Sequence, residues 1–130
     1  MKRLIKGIHH IALKAKGLEE YERLLHFYKD ILGMPVIRTW GEGNGVGTML
    51  DTGSGIMELF ANAPDKLDAS AIRHFALATD DVDACVEAVR TNGYKITMEP
   101  KDINIGGSFP ARIAFCIGPV GEEVEFFCEK

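Results

Sequence analysis

The chain has 130 residues, of which 46% are hydrophobic and 26% are charged, and its formal net charge at pH 7 is -4. This composition is typical of one compact globular domain and excludes a disordered or fibrous chain. The acidic balance and the scattered basic residues argue against nucleic acid or an acidic membrane surface as a partner. No apolar run approaches the roughly 20 residues that a membrane span needs, and the N-terminus lacks the apolar stretch of a signal peptide. We therefore expect a cytoplasmic protein.

The three cysteines predict free thiols rather than a disulfide framework. Their number is odd, and Cys85, Cys116 and Cys128 lack the close pairing of a zinc knuckle. Each lies in an apolar segment, so we expect buried thiols in a reducing compartment.

The first half of the chain predicts a strand, a helix and three further strands. Residues 7–13 have the pattern of a strand, and residues 18–32 follow with a helical spacing of apolar side chains. Gly33 suits the left-handed residue that ends a helix, and Pro35 prevents the helix from continuing. Three predicted strands separated by glycine-rich turns complete this half: residues 36–40, 46–51 and 55–61.

The second half repeats this order of elements. Residues 64–71 form a short polar linker, and residues 72–78 have the pattern of a strand. Residues 79–81 (Thr-Asp-Asp) offer N-terminal caps to a helix with an apolar stripe, which Gly93 ends. Three predicted strands follow: residues 94–98, 111–117 and 122–128.

Two short segments also recur at matching positions in the two halves. The segment HHIAL at residues 9–13 resembles RHFAL at residues 73–77, and IMELF at 56–60 resembles EVEFF at 123–127. An internal repeat is best recognised before the fold is assigned. We predict an α+β fold with two curved mixed sheets. A single domain of residues 1–130 would then contain two βαβββ modules, residues 4–63 and 71–129.

The repeat places a histidine in the first strand and a glutamate in the last strand of each half. Because side chains alternate across a strand, Ile11 and Leu13 share the face that packs on the helix, and His10 lies on the opposite face. The same alternation puts Glu58 opposite its apolar neighbours in the last strand. The equivalent residues of the second half are His74 and Glu125.

Four ionisable side chains are therefore expected on the concave faces of the two sheets. Carboxylates in such places are costly unless they face positive charge or a metal. Two imidazoles and two carboxylates would balance one divalent ion and leave coordination positions for water or substrate. A lone histidine in a strand is more often a core or surface residue, but recurrence in both halves favours a metal site. Its predicted ligands are His10, Glu58, His74 and Glu125.

At these residues the chain resembles the vicinal oxygen chelate superfamily, which includes glyoxalase I, methylmalonyl-CoA epimerase, extradiol dioxygenases and antibiotic-resistance proteins. The resemblance covers nearly the whole chain. It rests on HIA at residues 10–12, FYKDILGM at 27–34, IMEL at 56–59, HFAL at 74–77 and GEEVEFF at 121–127. These motifs are specific for the superfamily and much less specific for any one reaction.

The His-Glu-His-Glu order of ligands resembles that of small bacterial glyoxalase I. This resemblance implies a divalent-metal-dependent lyase of methylglyoxal detoxification, with Ni²⁺, Zn²⁺ or Co²⁺ as the favoured ion. The enzyme would isomerise a hemithioacetal of methylglyoxal to an S-lactoyl thioester through a metal-stabilised enediolate. Glu58 and Glu125 are then the candidates for moving the proton. The resemblance also implies a homodimer, in which both subunits often contribute ligands to one site.

Three further residues, Lys14, Asn62 and Arg112, are candidates for contacts with the tail of a small-molecule substrate. Asn62 matches an asparagine that contacts glutathione in glyoxalase I, whereas Lys14 stands in place of an arginine and Ile105 in place of a lysine. Two alternatives therefore stay open. One is another metal-dependent enzyme of the superfamily, such as a methylmalonyl-CoA epimerase-like protein, and the other is a small-molecule binding or resistance protein.

Overall fold

Each half of the chain contributes a separate four-stranded sheet to the structure. This computed structural model describes residues 6–65, 74–105 and 107–130. The predicted linker beyond residue 65 and the first two residues of the predicted strand 72–78 lie outside the described residues. No helix in the described ranges is long and apolar enough to cross a membrane.

The first sheet contains four strands in the order β1-β4-β3-β2. Strands β1 and β4 run parallel, and the other neighbours are antiparallel. The elements of this half are β1 His10–Lys14, α1 Gly17–Leu25, a π-helix His26–Ile31, β2 Val36–Trp40, β3 Gly47–Asp51 and β4 Ile56–Phe60.

The second sheet has the corresponding order β5-β8-β7-β6, again with its first and last strands parallel. Its elements are β5 Phe75–Ala78, α2 Val82–Thr91, β6 Ile96–Ile105, β7 Phe109–Ile117 and β8 Glu123–Glu129. The predicted α+β class with two mixed sheets is thus confirmed, and the same strand order occurs in both halves.

The first helix differs from the prediction because it is not α-helical throughout. From His26 the chain forms a π-helix, and the amide of Leu32 donates to the carbonyl of Phe27 over 3.0 Å. Phe27 and Tyr28 are fully buried in this wider turn. A continuous α-helix would point the side chains that follow the first π-turn in other directions. Gly33 then ends the helix with a φ of 79°, as its predicted role requires.

The hairpin of β6 and β7 is longer than the sequence pattern indicates. Residues 99–105 were expected outside a strand, yet β6 continues to Ile105. Pro100 falls where the register shifts between Met98 and Lys101, and β6 is an edge strand, so the missing amide of Pro100 leaves no ladder bond broken.

One hydrophobic core serves both halves. Phe27 of the π-helix packs edge-on against Tyr94 with ring centroids 4.7 Å apart, and Tyr28 lies near Phe75. The Tyr28 hydroxyl also donates to Glu122 over 2.7 Å, so a polar bond crosses between the halves. The helix-facing side chains of β3, β4 and β8 are buried, whereas the outward side chains of β1 and β5 are exposed.

The cysteines are free thiols, as predicted, but their burial differs. Cys116 is fully buried in the core. Cys85 and Cys128 are only partly buried, so the expectation of three buried thiols was wrong for these two.

Candidate metal centre

The outward face of the first sheet carries a histidine and a glutamate on neighbouring strands. In β1 the exposure alternates, with Ile11 and Leu13 turned inward and His10 and Ala12 turned outward. Ala12 lies opposite Glu58 in the parallel ladder of β1 and β4, and its small side chain leaves the space above both strands open. The local pattern of β1 and β4 therefore suffices to place both ionisable groups on one face.

These two groups form a close pair. Nε2 of His10 lies 3.5 Å from Oε1 of Glu58, and the Glu58 side chain is 12% exposed. On the other side of the ring, Nδ1 of His10 lies 3.0 Å from Nδ1 of His9. A ring held from behind in this way presents Nε2 outward, which is how metal-binding histidines are commonly oriented. The two consecutive histidines are visible in the sequence, but strand alternation places them on opposite faces, and the structure brings their rings together because β1 begins only at His10.

The second sheet repeats the pair on its own outward face. Nε2 of His74 lies 3.2 Å from Oε1 of Glu125, and Ala76 faces Glu125 in the parallel ladder of β5 and β8. The Glu125 side chain is 10% exposed. The ring of Phe115 meets the His74 imidazole edge-on, with centroids 5.2 Å apart. Glu123 approaches Nδ1 of His74 at 4.0 Å.

Burial makes the Glu125 carboxyl group a weaker acid than usual. Loss of water raises the pKa of Glu125, and the neighbouring His74 counteracts this rise only in part. A carboxylate that has lost hydration without gaining a full counter-charge is a favourable partner for a cation.

Within one chain the two pairs stay apart. No group of three or more His, Cys, Asp or Glu side chains among the described residues is arranged to hold a metal ion. The structure therefore joins His10 with Glu58 and His74 with Glu125, but it does not bring all four predicted ligands together. The sequence repeat could not reveal this separation, because it specifies the face of each strand and not the distance between sheets.

The three predicted substrate contacts occupy different environments. The Lys14 ammonium lies on the outward face of the first sheet, 5.8 Å from the centroid of the Phe60 ring. Asn62 lies just beyond β4, where its backbone forms an isolated antiparallel β-bridge with that of Lys16, and it is exposed. Arg112 is held elsewhere. Its guanidinium binds Asp83 of α2 and Asp102 of β6, on the side of the sheet that faces the helix. We therefore leave Arg112 out of the proposed site.

Comparison with known proteins agrees with this fold. The family model described as Glyoxalase/Bleomycin resistance protein/Dioxygenase superfamily matches residues 7–126. Because this match spans nearly all of the sequence, the chain belongs to that superfamily.

Individual relatives resemble this chain over most of its length. Lactoylglutathione lyase of Haemophilus influenzae is 32% identical over 119 residues, which cover 85% of this chain and 86% of the relative. A probable lactoylglutathione lyase of Synechocystis is 31% identical over 114 residues, covering 82% and 85% of the two chains. The solved structure of TnmS3, an antibiotic binding protein from Streptomyces, has a TM-score of 0.76 over 99% of this chain and 100% of its own. Its identity is 18%, so this likeness concerns the fold alone.

Proposed function

We propose that this protein is a divalent-metal-dependent lyase of the glyoxalase I kind. The observation that carries the proposal is the recurrence of one histidine–glutamate pair on the outward face of each sheet, at 3.5 Å in the first half and 3.2 Å in the second. Similarity to lactoylglutathione lyases over most of the chain supports the same reaction class.

The chemistry of the donor groups fits a divalent ion. Each pair offers one imidazole nitrogen and one carboxylate oxygen, a mixture that suits Zn²⁺, Ni²⁺ or Co²⁺. Both carboxylates are largely removed from water, and Ala12 and Ala76 leave the space beside them unfilled. His10, Glu58, His74 and Glu125 would hold the ion. When bound, it would supply Lewis acidity to two neighbouring oxygens of the substrate.

The glutamates are the groups that would move the proton. In the hemithioacetal of methylglyoxal, the C–H bond of the carbon bearing hydroxyl and sulfur breaks, and a carboxylate of Glu58 or Glu125 takes the proton. The same carboxyl group returns the proton to the neighbouring carbonyl carbon, and the hydroxyl proton of the first carbon passes to the oxygen of that carbonyl, which becomes the new hydroxyl. The first carbon becomes the thioester carbonyl. This isomerisation balances without an external oxidant or reductant. Burial raises the pKa of Glu125, so its carboxylate is a stronger base than the carboxylate of an ordinary glutamate.

A complete set of four ligands requires two copies of the chain. Each copy would place the outward face of its first sheet against that of its partner's second sheet. A two-fold axis then produces two equivalent sites, each with one pair from either copy. A homodimer is therefore part of the proposal.

The first test combines metal content with turnover. Protein stripped with a chelator and reloaded with Ni²⁺, Zn²⁺, Co²⁺ or Mn²⁺ is assayed with methylglyoxal and glutathione. We expect about one ion per chain, with turnover that depends on which ion is bound. Glu58→Gln and Glu125→Gln should abolish turnover, whereas Glu129→Gln at the exposed end of β8 is the matched control. Metal binding without turnover would refute the lyase and retain the centre.

The second test asks whether one site draws ligands from two copies. His10→Ala and His74→Ala homodimers should each be inactive. In a dimer that contains one chain of each variant, one site lacks both histidines and the other keeps all four ligands. An equal mixture refolded together should therefore recover about a quarter of wild-type turnover, because half of the dimers are mixed. No recovery in demonstrably mixed dimers would exclude a shared site.

A methylmalonyl-CoA epimerase-like activity is the second candidate, and Lys14 is the observation that favours it. The ammonium of Lys14 lies over Phe60 and lacks the bidentate fork with which arginine recognises a carboxylate. Removal and return of a proton beside a 2-acyl thioester would use the same two glutamates. Deuterium exchange from solvent into methylmalonyl-CoA, measured beside the glutathione assay, separates the two reactions.

A further inference from the structure

The outward face of the first sheet continues beyond the His10–Glu58 pair as a second row of side chains. The strand register places Lys14 beside Phe60, Phe60 beside Gly47, and Gly47 beside Trp40. Two residues separate this row from the row of Glu58, which corresponds to roughly 7 Å along the strands. A ligand held at the histidine–glutamate pair thus reaches this second row with a short tail.

Trp40 and Phe60 form an aromatic platform in this row. Their ring centroids are 6.1 Å apart in an edge-on arrangement. The Trp40 indole lies directly on the backbone of Gly47, where any added Cβ would overlap the ring. Gly47 therefore lets the indole lie flat across the sheet, although Trp40 is still 38% exposed. An exposed aromatic surface of this kind is costly to leave in water and is a common anchor for ligands.

Two cations flank the platform. Lys14 lies over the Phe60 ring at 5.8 Å. Arg38 pairs with Met49, which itself pairs with Glu58, so the three side chains share the outward face. Neither cation has a carboxylate partner within the described ranges, in contrast to the paired Arg90 and Arg112 of the second half. These two positive charges are available to an anion.

The carboxylates of this face lie away from the aromatic row. Glu58 is next to His10, and Asp51 lies in the row of His10, with its carboxylate accepting from the amide of Gly53. Arg38 shares the row of Glu58 but lies two strands away from it, on the edge strand β2 next to Trp40. The face therefore has a metal-binding, acidic end and an aromatic, basic end, with Arg38 at the edge between them. This division gives a bound molecule a direction, with its reacting oxygens at one end and its negative tail at the other.

We propose that the aromatic, basic end is a binding subsite for an organic anion with a planar ring, in which Trp40 and Phe60 pack on the ring and Lys14 and Arg38 pair with the negative group. The subsite extends the proposed function, on which it rests for the identity of the reacting end. A ring packed on Trp40 and Phe60 would lie roughly 7 Å along the strands from the row of Glu58.

Trp40 is the only tryptophan of the chain, so its fluorescence reports this subsite directly. We would titrate the full chain, with and without added metal, with three probes: 3-phenylpropionate, the uncharged 3-phenylpropan-1-ol and the non-planar 3-cyclohexylpropionate. We expect 3-phenylpropionate to bind at least threefold more tightly than either of the other two, because only it has both ring and charge. Iodide should also quench Trp40 more strongly than caesium does, because the local charge is positive.

Variants assign the effect to the residues. Arg38→Gln and Lys14→Gln keep the reporter and should each weaken 3-phenylpropionate binding about three- to fivefold, with a smaller salt dependence. Trp40→Leu, followed by ligand-detected NMR, should weaken it about five- to tenfold. The matched controls are Lys95→Gln, an exposed cation outside this face, and Val36→Ala, on the opposite face of β2. Both should bind as the wild type does.

Equal binding of the three probes, or undiminished binding by Trp40→Leu, would overturn the subsite. So would iodide quenching of Trp40 that is no stronger than caesium quenching, each scaled to free tryptophan, because the charge at the platform would then not be positive. The titration does not use turnover. Probe binding by a chain without lyase activity would therefore contradict only the proposed function, and an active lyase that ignores the probes would contradict only the subsite.

Discussion

The bond between Tyr28 and Glu122 gives the most direct test of how the two halves are held together. Tyr28 is fully buried in the π-helix of the first half, and its hydroxyl donates to Oε2 of Glu122, 2.7 Å away, just before β8 of the second half. The other carboxylate oxygen accepts from the amide of Val120 over 2.9 Å. Tyr28→Phe removes one of these two donors and leaves the packing of the ring unchanged.

The cost of this change follows from the charge of the acceptor. Hydrogen bonds to charged groups contribute about 1.5–3 kcal/mol, and the lower end applies because Glu122 is only partly buried. We therefore expect Tyr28→Phe to lower the free energy of unfolding by about 1.5 kcal/mol at pH 7. For a chain of 130 residues, this corresponds to a fall in Tm of about 5 °C.

Urea denaturation of wild type and variant at pH 7 and pH 4 measures this difference. Burial raises the pKa of Glu122, so near pH 4 the carboxyl group is largely protonated and the loss should be smaller. Tyr21→Phe is the matched control, because the Tyr21 hydroxyl bonds the neutral Thr48 within the first half. The control should lose stability equally at both pH values. The reasoning is wrong if Tyr28→Phe costs under about 0.5 kcal/mol at pH 7, or if its cost does not change with pH.

Three more predictions follow from the same region. First, the folded-state pKa of Glu122 is raised above its unfolded value, so the Glu122 carboxyl group favours folding below about pH 4, and this contribution is lost as the pH rises through the raised pKa. In paired urea titrations, the free energy of unfolding of Glu122→Gln should therefore increase relative to that of the wild type from pH 4 to pH 7. Second, burial raises the pKa of Cys116 to about 12, so thiol reagents at pH 8 should label Cys85 and Cys128 in the native protein and Cys116 only after unfolding. Mass spectrometry that finds Cys116 of the native protein labelled as fast as the other two cysteines would contradict its burial. Third, a Cβ at Gly118 would overlap the Glu122 carboxylate, which could move away only by breaking its hydrogen bonds to Tyr28 and Val120. Gly118→Ala should therefore cost about 1–3 kcal/mol in thermal unfolding and much less in a Glu122→Ala background, and equal costs in both would refute the overlap.

The sequence predicted the faces of the strands well because strand alternation is a local property. Ile11 and Leu13 are turned inward and His10 outward, as the period of two requires. In the second sheet the burial of β8 does not alternate, but its register with β5 places Glu125 beside the exposed Ala76, on the face that similarity to the first half suggests. These predictions needed no knowledge of which elements pack together.

Features that depend on tertiary contacts were not predictable in this way. Arg112 is of a residue type that often binds anionic ligands, but its guanidinium donates to Asp83 of α2, on the helical side of the sheet. Glu122 begins the predicted strand 122–128, and only the packing of the π-helix brings Tyr28 within 2.7 Å of it. The extension of β6 was missed because Pro100 is a strand breaker, except at an edge with a register shift.

The separation of the two histidine–glutamate pairs has a physical cause in the shared core. Phe27 and Tyr28 pack against residues of the second half, so the helical sides of the two sheets are drawn together. Their outward faces must then point away from that common core. One core cannot at the same time close both outward faces around a single ion. If four ligands are to meet, a second chain has to supply the facing sheet, and the fold that buries the core therefore favours an assembled site over one within a single chain.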